Sequence, residues 1–282
     1  MPELRVPGAT LYYETRGSGP VLLMIPGGGG DAGTFDVVGP RLADRFTVVA
    51  VDPRGKSRSV EDEPGADQRV EVHADDMRRL LDEVSPDRPA QVFGSSSGAI
   101  IALELLARHP ERVRRVVAHE PPVLGLLPDA DRWRAAFAGV VDAFRRDGLP
   151  AAMAELGAAA GQEDDDPDGR EVADGEPAPE TVERYRRTAA NMPQFLEREL
   201  RGFSGHLPDL DALAARADRL VPAYGRASRG LLLARPAEVL AERFGTAAVE
   251  FPGGHVGLST HPARFAEVLG RTLAGTRAAS AG

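Results

Sequence analysis

Apolar residues in this chain gather in short runs bounded by turn residues, and the runs alternate with longer stretches of helical periodicity. Leu4 to Val6 and Leu11 to Thr15 flank Pro7-Gly8 and predict an N-terminal hairpin. Val21 to Ile25, Phe46 to Val51, Ala90 to Phe93, Val113 to His119, Leu220 to Tyr224 and Ala247 to Phe251 are apolar segments of strand length. Between them, Asp67 to Val84 sets Val70, Met77, Leu80, Leu81 and Val84 at helical spacing. Ser97 to Arg108 is almost wholly apolar, which predicts a buried helix, while Ala237 to Phe244 and Pro262 to Leu273 are amphipathic. Continuously apolar strands alternating with helices predict an α/β protein with a mainly parallel sheet covered on both faces.

The alternation breaks after Val123. From there to Leu210 the pattern is helical without clear strands, over 130–146, 151–160, 179–191 and 194–203. The chain therefore divides into a first core segment (1–122), an inserted helical cap (123–210) and a second core segment (211–282). Within the cap, Glu163-Asp164-Asp165-Asp166-Pro167-Asp168-Gly169 predicts an acidic, mobile surface loop.

Composition narrows the chemistry. The sequence has no cysteine, which removes disulfides, thiol nucleophiles and thiolate-held metals together. A net charge of −9 disfavours binding to phosphate backbones and aids solubility. No secretory pattern opens the chain and no apolar run has membrane-spanning length, so a soluble cytoplasmic protein acting on a small molecule, without nucleic-acid or membrane partners, is expected. The oligomeric state is not legible.

Three segments carry candidate chemistry. Gly94-Ser95-Ser96-Ser97-Gly98 lies between a strand and an apolar helix, the G-x-S-x-G pattern of a nucleophile elbow. Such a turn is sharp and strained, lifts the serine hydroxyl clear of the sheet and leaves little room two residues to either side. Phe251-Pro252-Gly253-Gly254-His255 follows the last strand and offers a base suited to neutral pH, which a serine hydroxyl needs before it attacks. Ile25-Pro26-Gly27-Gly28-Gly29-Gly30 follows the first core strand; its glycines permit close approach to an oxyanion, and the backbone N–H groups of Gly28 and Ser97 are the expected donors.

With Asp52-Pro53-Arg54-Gly55 and His109-Pro110-Glu111-Arg112-Val113, these segments resemble the α/β-hydrolase superfamily over essentially the whole chain. Pro26 stands where many members carry a histidine, a difference that backbone donors tolerate. The resemblance implies a serine hydrolase that needs no cofactor, with Ser96 as nucleophile and His255 as general base. Members commonly place the triad acid after the strand that follows the cap, yet Tyr224-Gly225-Arg226-Ala227-Ser228-Arg229-Gly230 has no carboxylate, and Glu238, the first beyond it, falls on the next helix. Haloalkane dehalogenases and zearalenone-type lactonases place it after the strand that follows the nucleophile helix; Glu120 stands there, so the resemblance assigns it the acid's role. His119, beside it, alternates to the opposite face and is read as structural. The reaction implied is cleavage of a carboxylic ester or lactone through an acyl-enzyme, with Trp133 of the cap as a candidate substrate contact.

Other readings remain open at this point. The same fold and triad extend to cofactor-free haloperoxidases, lyases and acyltransferases, and to binding proteins that have lost turnover. Gly28-x-Gly30-x-x-Gly33 with Asp52 imitates a dinucleotide fingerprint, although Pro26 and Gly39-Pro40 interrupt it. Asp164-x-Asp166-x-Asp168-Gly169 imitates the start of a calcium loop, but Gly175 replaces the closing glutamate. Gly55-Lys56-Ser57 lacks the upstream glycine of a phosphate-binding loop, and the remaining histidines show no metal-ligand spacing.

Overall fold

Alternate residues of the central strands feed two different cores. In the third strand, Leu23 and Ile25 face one cluster while Leu22 and Met24 face the other, the period-two consequence of strand geometry. This is why the strands read as unbroken apolar runs. A computed structural model describes residues 2–161, 169–171 and 179–275. The strands are β1 (Glu3–Val6), β2 (Ala9–Arg16), β3 (Val21–Ile25), β4 (Thr47–Val51), β5 (Val60–Glu61), β6 (Ala90–Ser95), β7 (Val113–His119), β8 (Leu220–Gly225) and β9 (Val249–Phe251). They form one sheet in the order β1-β2-β4-β3-β6-β7-β8-β9, with β5 paired to β2. Pairing is parallel from β4 through β9 and antiparallel among β1, β2, β4 and β5.

On one face lie α1 (Val70–Val84) and α2 (Ser97–Arg108). Every residue of α2 from Ser97 to Leu106 is buried, so its lack of a polar face is a consequence of position. On the other face, Phe265, Leu269 and Leu273 of the C-terminal helix Pro262–Ala274 pack with Phe35, Leu42 and Phe93.

Between β7 and β8 the described residues hold α3 (Ala130–Asp147), α4 (Leu149–Ala160), α5 (Pro179–Gln194), a π-helical turn (Phe195–Glu199), α6 (Leu200–Gly205) and α7 (Leu210–Ala214). This insertion builds a core of its own from Leu127, Phe137, Val140, Val141, Phe195, Leu196 and Leu200. The segment expected as one helix from 194 is instead a π-turn running into α6. β5 and α7, each only a few residues long, were outside the expected set. The acidic run 163–168 and the Gly175 end of the calcium-like pattern lie outside the described residues. No described helix is long and apolar enough to cross a membrane.

Candidate active site

Ser96 sits between β6 and α2 with φ 54° and ψ −122°, a conformation that L-residues adopt at a cost. Its backbone N–H donates to the His119 carbonyl at 2.9 Å, which pins the turn to the neighbouring strand. The flanking glycines are required by space. A Cβ on Gly94 would collide with the Gly98 carbonyl, and one on Gly98 with the Ile25 carbonyl. The elbow is therefore wedged against the end of β3, which places the glycine loop beside Ser96: a Cβ on Gly27 would lie 2.8 Å from that of Ser96.

Glu120 follows β7 directly. Its N–H still pairs with the Ala223 carbonyl at 2.8 Å, and then the chain turns with φ 49°. The carboxylate is fully buried and accepts from the Gly225 N–H at 2.8 Å through one oxygen. Its other oxygen lies 2.5 Å from His255 Nδ1. Burial pushes the Glu120 carboxyl up, but the hydrogen bond and charge of His255, with the Gly225 N–H, outweigh it and hold the group down at about 2. A carboxylate only accepts, so it keeps the imidazole proton on Nδ1 and leaves Nε2 as the accepting nitrogen. His255 itself is partly exposed.

His119 turns the other way, into a nest of Phe93, Phe251 and Phe265, where burial lowers it to about 4 and keeps it neutral. It packs and does not face the cavity, in keeping with its expected alternation.

Ser96, Ser97 and His255 line one cavity of about 200 Å3, closed on the far side by the insertion through Phe137, Leu156, Phe195, Leu200 and Phe203. Among the described residues its wall carries no Asp, Glu, Lys or Arg. Trp133 is not on that wall. It packs at the edge of the insertion's core beneath the Arg132 guanidinium, and Phe137, one turn further along α3, takes the position facing the cavity. The cavity wall thus includes Phe137 and not Trp133, the cap residue expected from the sequence to meet substrate.

The glycine loop runs into a short 3-10 turn, Ala32–Phe35, rather than the long helix a dinucleotide site needs. Asp52 is buried, accepting from the Ala32 N–H and from Arg58, and is spent on holding the loop. Sequence reasoning missed the side chains that fix this loop from outside. Asp31 caps the 3-10 turn and accepts from Ser57 Oγ at 2.8 Å and Arg187 Nε at 2.5 Å. Asn191 of α5 donates to the Gly29 carbonyl at 2.9 Å, and Lys56 donates to that of Gly28. Only the presence of Lys56 and Ser57 in an otherwise turn-like segment hinted at them.

Comparison with known proteins agrees with this architecture. A protein-family model described as alpha/beta hydrolase fold matches residues 20–222. The chain is 38% identical over 270 residues to the uncharacterized hydrolase YraK of Bacillus subtilis (strain 168), covering 94% of this chain and 93% of that one. Among solved structures, a thermophilic esterase from Thermogutta terrifontis superposes with a TM-score of 0.71 at 20% identity, over 95% of this chain and 94% of that one. A hydrolase from Pseudomonas aeruginosa PA01 superposes with a TM-score of 0.69 at 22% identity, over 98% of each chain. With the family model matching residues 20–222 and the Bacillus subtilis relative aligned over 94% of its length, this chain belongs to the alpha/beta hydrolase family.

Proposed function

We propose that the protein is a serine hydrolase that cleaves a carboxylic ester or lactone of a small, uncharged, largely apolar molecule. Ser96 Oγ attacks the carbonyl carbon while His255 Nε2 takes its proton. The Gly28 and Ser97 N–H groups hold the oxyanion, and Glu120 keeps the imidazole oriented and stabilises its charged form. The proton then passes to the departing alkoxide, leaving an acyl group on Ser96. Water activated by His255 releases the acid and restores the serine. The helical insertion, residues 123–210, serves as a cap whose inner wall selects the substrate.

The observation that carries this reading is the 2.5 Å contact of His255 Nδ1 with a buried Glu120 carboxylate, beside the strained Ser96 turn in one apolar cavity. The wall supports a neutral substrate because a charged group would lose its hydration there without a partner. An apolar cavity of roughly 150 Å3 accepts benzene, so this one suits a group of aromatic-ring size or slightly larger.

The test uses a fluorophosphonate probe and a p-nitrophenyl ester with wild type, Ser96→Ala and Glu120→Gln, each checked for folding by circular dichroism. Wild type is expected to label and turn over, Ser96→Ala to do neither, and Glu120→Gln to lose roughly 100-fold or more in kcat. Wild type that binds neutral esters without labelling or turnover would overturn the assignment in favour of a binding protein.

A further inference from the structure

Among the described residues, three that are not glycine have positive φ: Ser96, Glu120 and Ser57, the last at 51°. The reading above uses the first two. Such residues persist only where their surroundings over-determine them, and the surroundings of Ser57 lead to the glycine loop. Its N–H donates to Asn191 Oδ1 at 2.9 Å, and its hydroxyl lies between Asp31 and Asn191 Nδ2. Lys56, the residue before it, is 3% exposed and paired at 2.7 Å with Glu199, which is fully buried. Burial pushes the Glu199 carboxyl up, and the Lys56 charge offsets only part of that rise. Such a pair is a poor source of stability, since desolvation offsets most of the attraction. Its presence calls for another role.

Geometry supplies one. Lys56 Nζ donates to the Gly28 carbonyl, and Asn191 Nδ2 to the Gly29 carbonyl. The Phe195 ring lies against Gly28, within 3.4 Å of where a Cβ would be, and Gly28 has φ +28°. Four successive glycines can turn their peptide planes at little steric cost. A carbonyl swung towards the cavity would present a negative dipole where the oxyanion forms. Phe195 and Glu199 open and close the π-turn of the insertion, with Phe195 against Gly28 and Glu199 against Lys56.

We propose that Lys56 and Glu199, with Asn191, are positioning residues that hold the Gly28 and Gly29 carbonyls away from the cavity and so fix the loop conformation from which the Gly28 N–H, in the preceding peptide plane, reaches the oxyanion. The inference rests on the serine-hydrolase reading for its kinetic consequence, but the clamp itself is a statement about loop order. It couples the insertion, which shapes the pocket, to the group that stabilises the transition state.

Replacing one member of a buried pair endangers folding, whereas replacing both by apolar residues is well tolerated. The test therefore uses Lys56→Met/Glu199→Leu, with the near-isosteric Glu199→Gln beside it. Three quantities are measured in both variants and wild type: kcat and KM for a p-nitrophenyl ester, the affinity of a trifluoromethyl ketone that forms a tetrahedral adduct on serine, and amide exchange of residues 27–30. The double variant is expected to lose about 10- to 100-fold in kcat with KM within about 2-fold, a share of what loss of an oxyanion donor costs. Adduct affinity is expected to fall by the same factor, and exchange in the loop to rise at least about 10-fold. Glu199→Gln is expected to move all three in the same direction by less, and it decides the matter if the double variant does not fold. A folded variant with kcat, adduct affinity and loop exchange all near wild type overturns the proposal, as does a fall in kcat with unchanged exchange. Wild type that fluorophosphonate fails to label at Ser96 overturns the serine-hydrolase reading instead, and loop exchange then still tests the clamp.

Discussion

Glu120, the acid of the proposed mechanism, also bears on folding. Its carboxyl sits at about 2 in the folded chain against an ordinary 4.5, so its charged form is favoured by folding. That contribution is complete above about 4.5 and is lost as pH falls towards about 2, the direction for any carboxyl depressed by folding. At neutral pH, Glu120→Gln is therefore expected to be less stable than wild type by on the order of 2 kcal/mol, the usual worth of hydrogen bonds to a charged group. The gap should close as pH falls through that window, which urea unfolding at a series of pH values will measure; a constant gap would place the effect elsewhere. At this scale the sequence was informative wherever chemistry demanded one residue type. Gly94 and Gly98 are dictated by a turn that leaves no room for a Cβ, and Ser96 and His255 by the roles proposed for them. Trp133 lies off the cavity wall and Phe137 on it, a difference the sequence does not carry because size and apolarity indicate burial without saying which face of α3 meets the cavity. The glycine-loop clamp was invisible because Lys56 and Glu199 lie 143 positions apart and each reads alone as a surface charge.

Elements were legible in proportion to how much regular apolar pattern they carry. α2 was readable from end to end because it is buried on all sides. The π-turn at Phe195–Glu199 was not, since one additional residue per turn leaves nearly the same spacing of apolar positions. Asp31 shows how a single side chain joins two elements. It caps the 3-10 turn Ala32–Phe35 through the Gly33 N–H and also receives Arg187 of α5 and the Ser57 hydroxyl. Asp31→Ala removes the cap and leaves two polar partners unmatched. A loss of about 2 to 4 kcal/mol is expected in chemical denaturation. Amide exchange should accelerate in Pro179–Gln194 while amides of the parallel strands keep their protection, because the bond ties the insertion to the loop and not to the sheet.

At the level of the whole molecule, charge and cavity act in the same direction. The chain carries a net charge of −9, and the cavity wall has no charged side chain among the described residues. Esters carrying a carboxylate are therefore expected to show kcat/KM at least about 10-fold below neutral esters of the same shape at low salt, and the difference should narrow as salt rises to about 0.5 M. Neutral esters should show little salt dependence, and steady-state rates across a salt series check both. The mainly parallel sheet and its two-sided core were readable because parallel strands must be apolar throughout, whereas the order of the strands and the path of the insertion depend on long-range packing that no local pattern records. Ser96 and Glu120 are both fixed before the chain leaves the sheet at Pro121-Pro122, while the later half of the insertion grips the glycine loop. The hairpin of α3 and α4 carries neither duty, so libraries that randomise or exchange it should yield new substrate preferences with turnover intact, and libraries spread over α5 and the π-turn should mostly yield inactive enzymes.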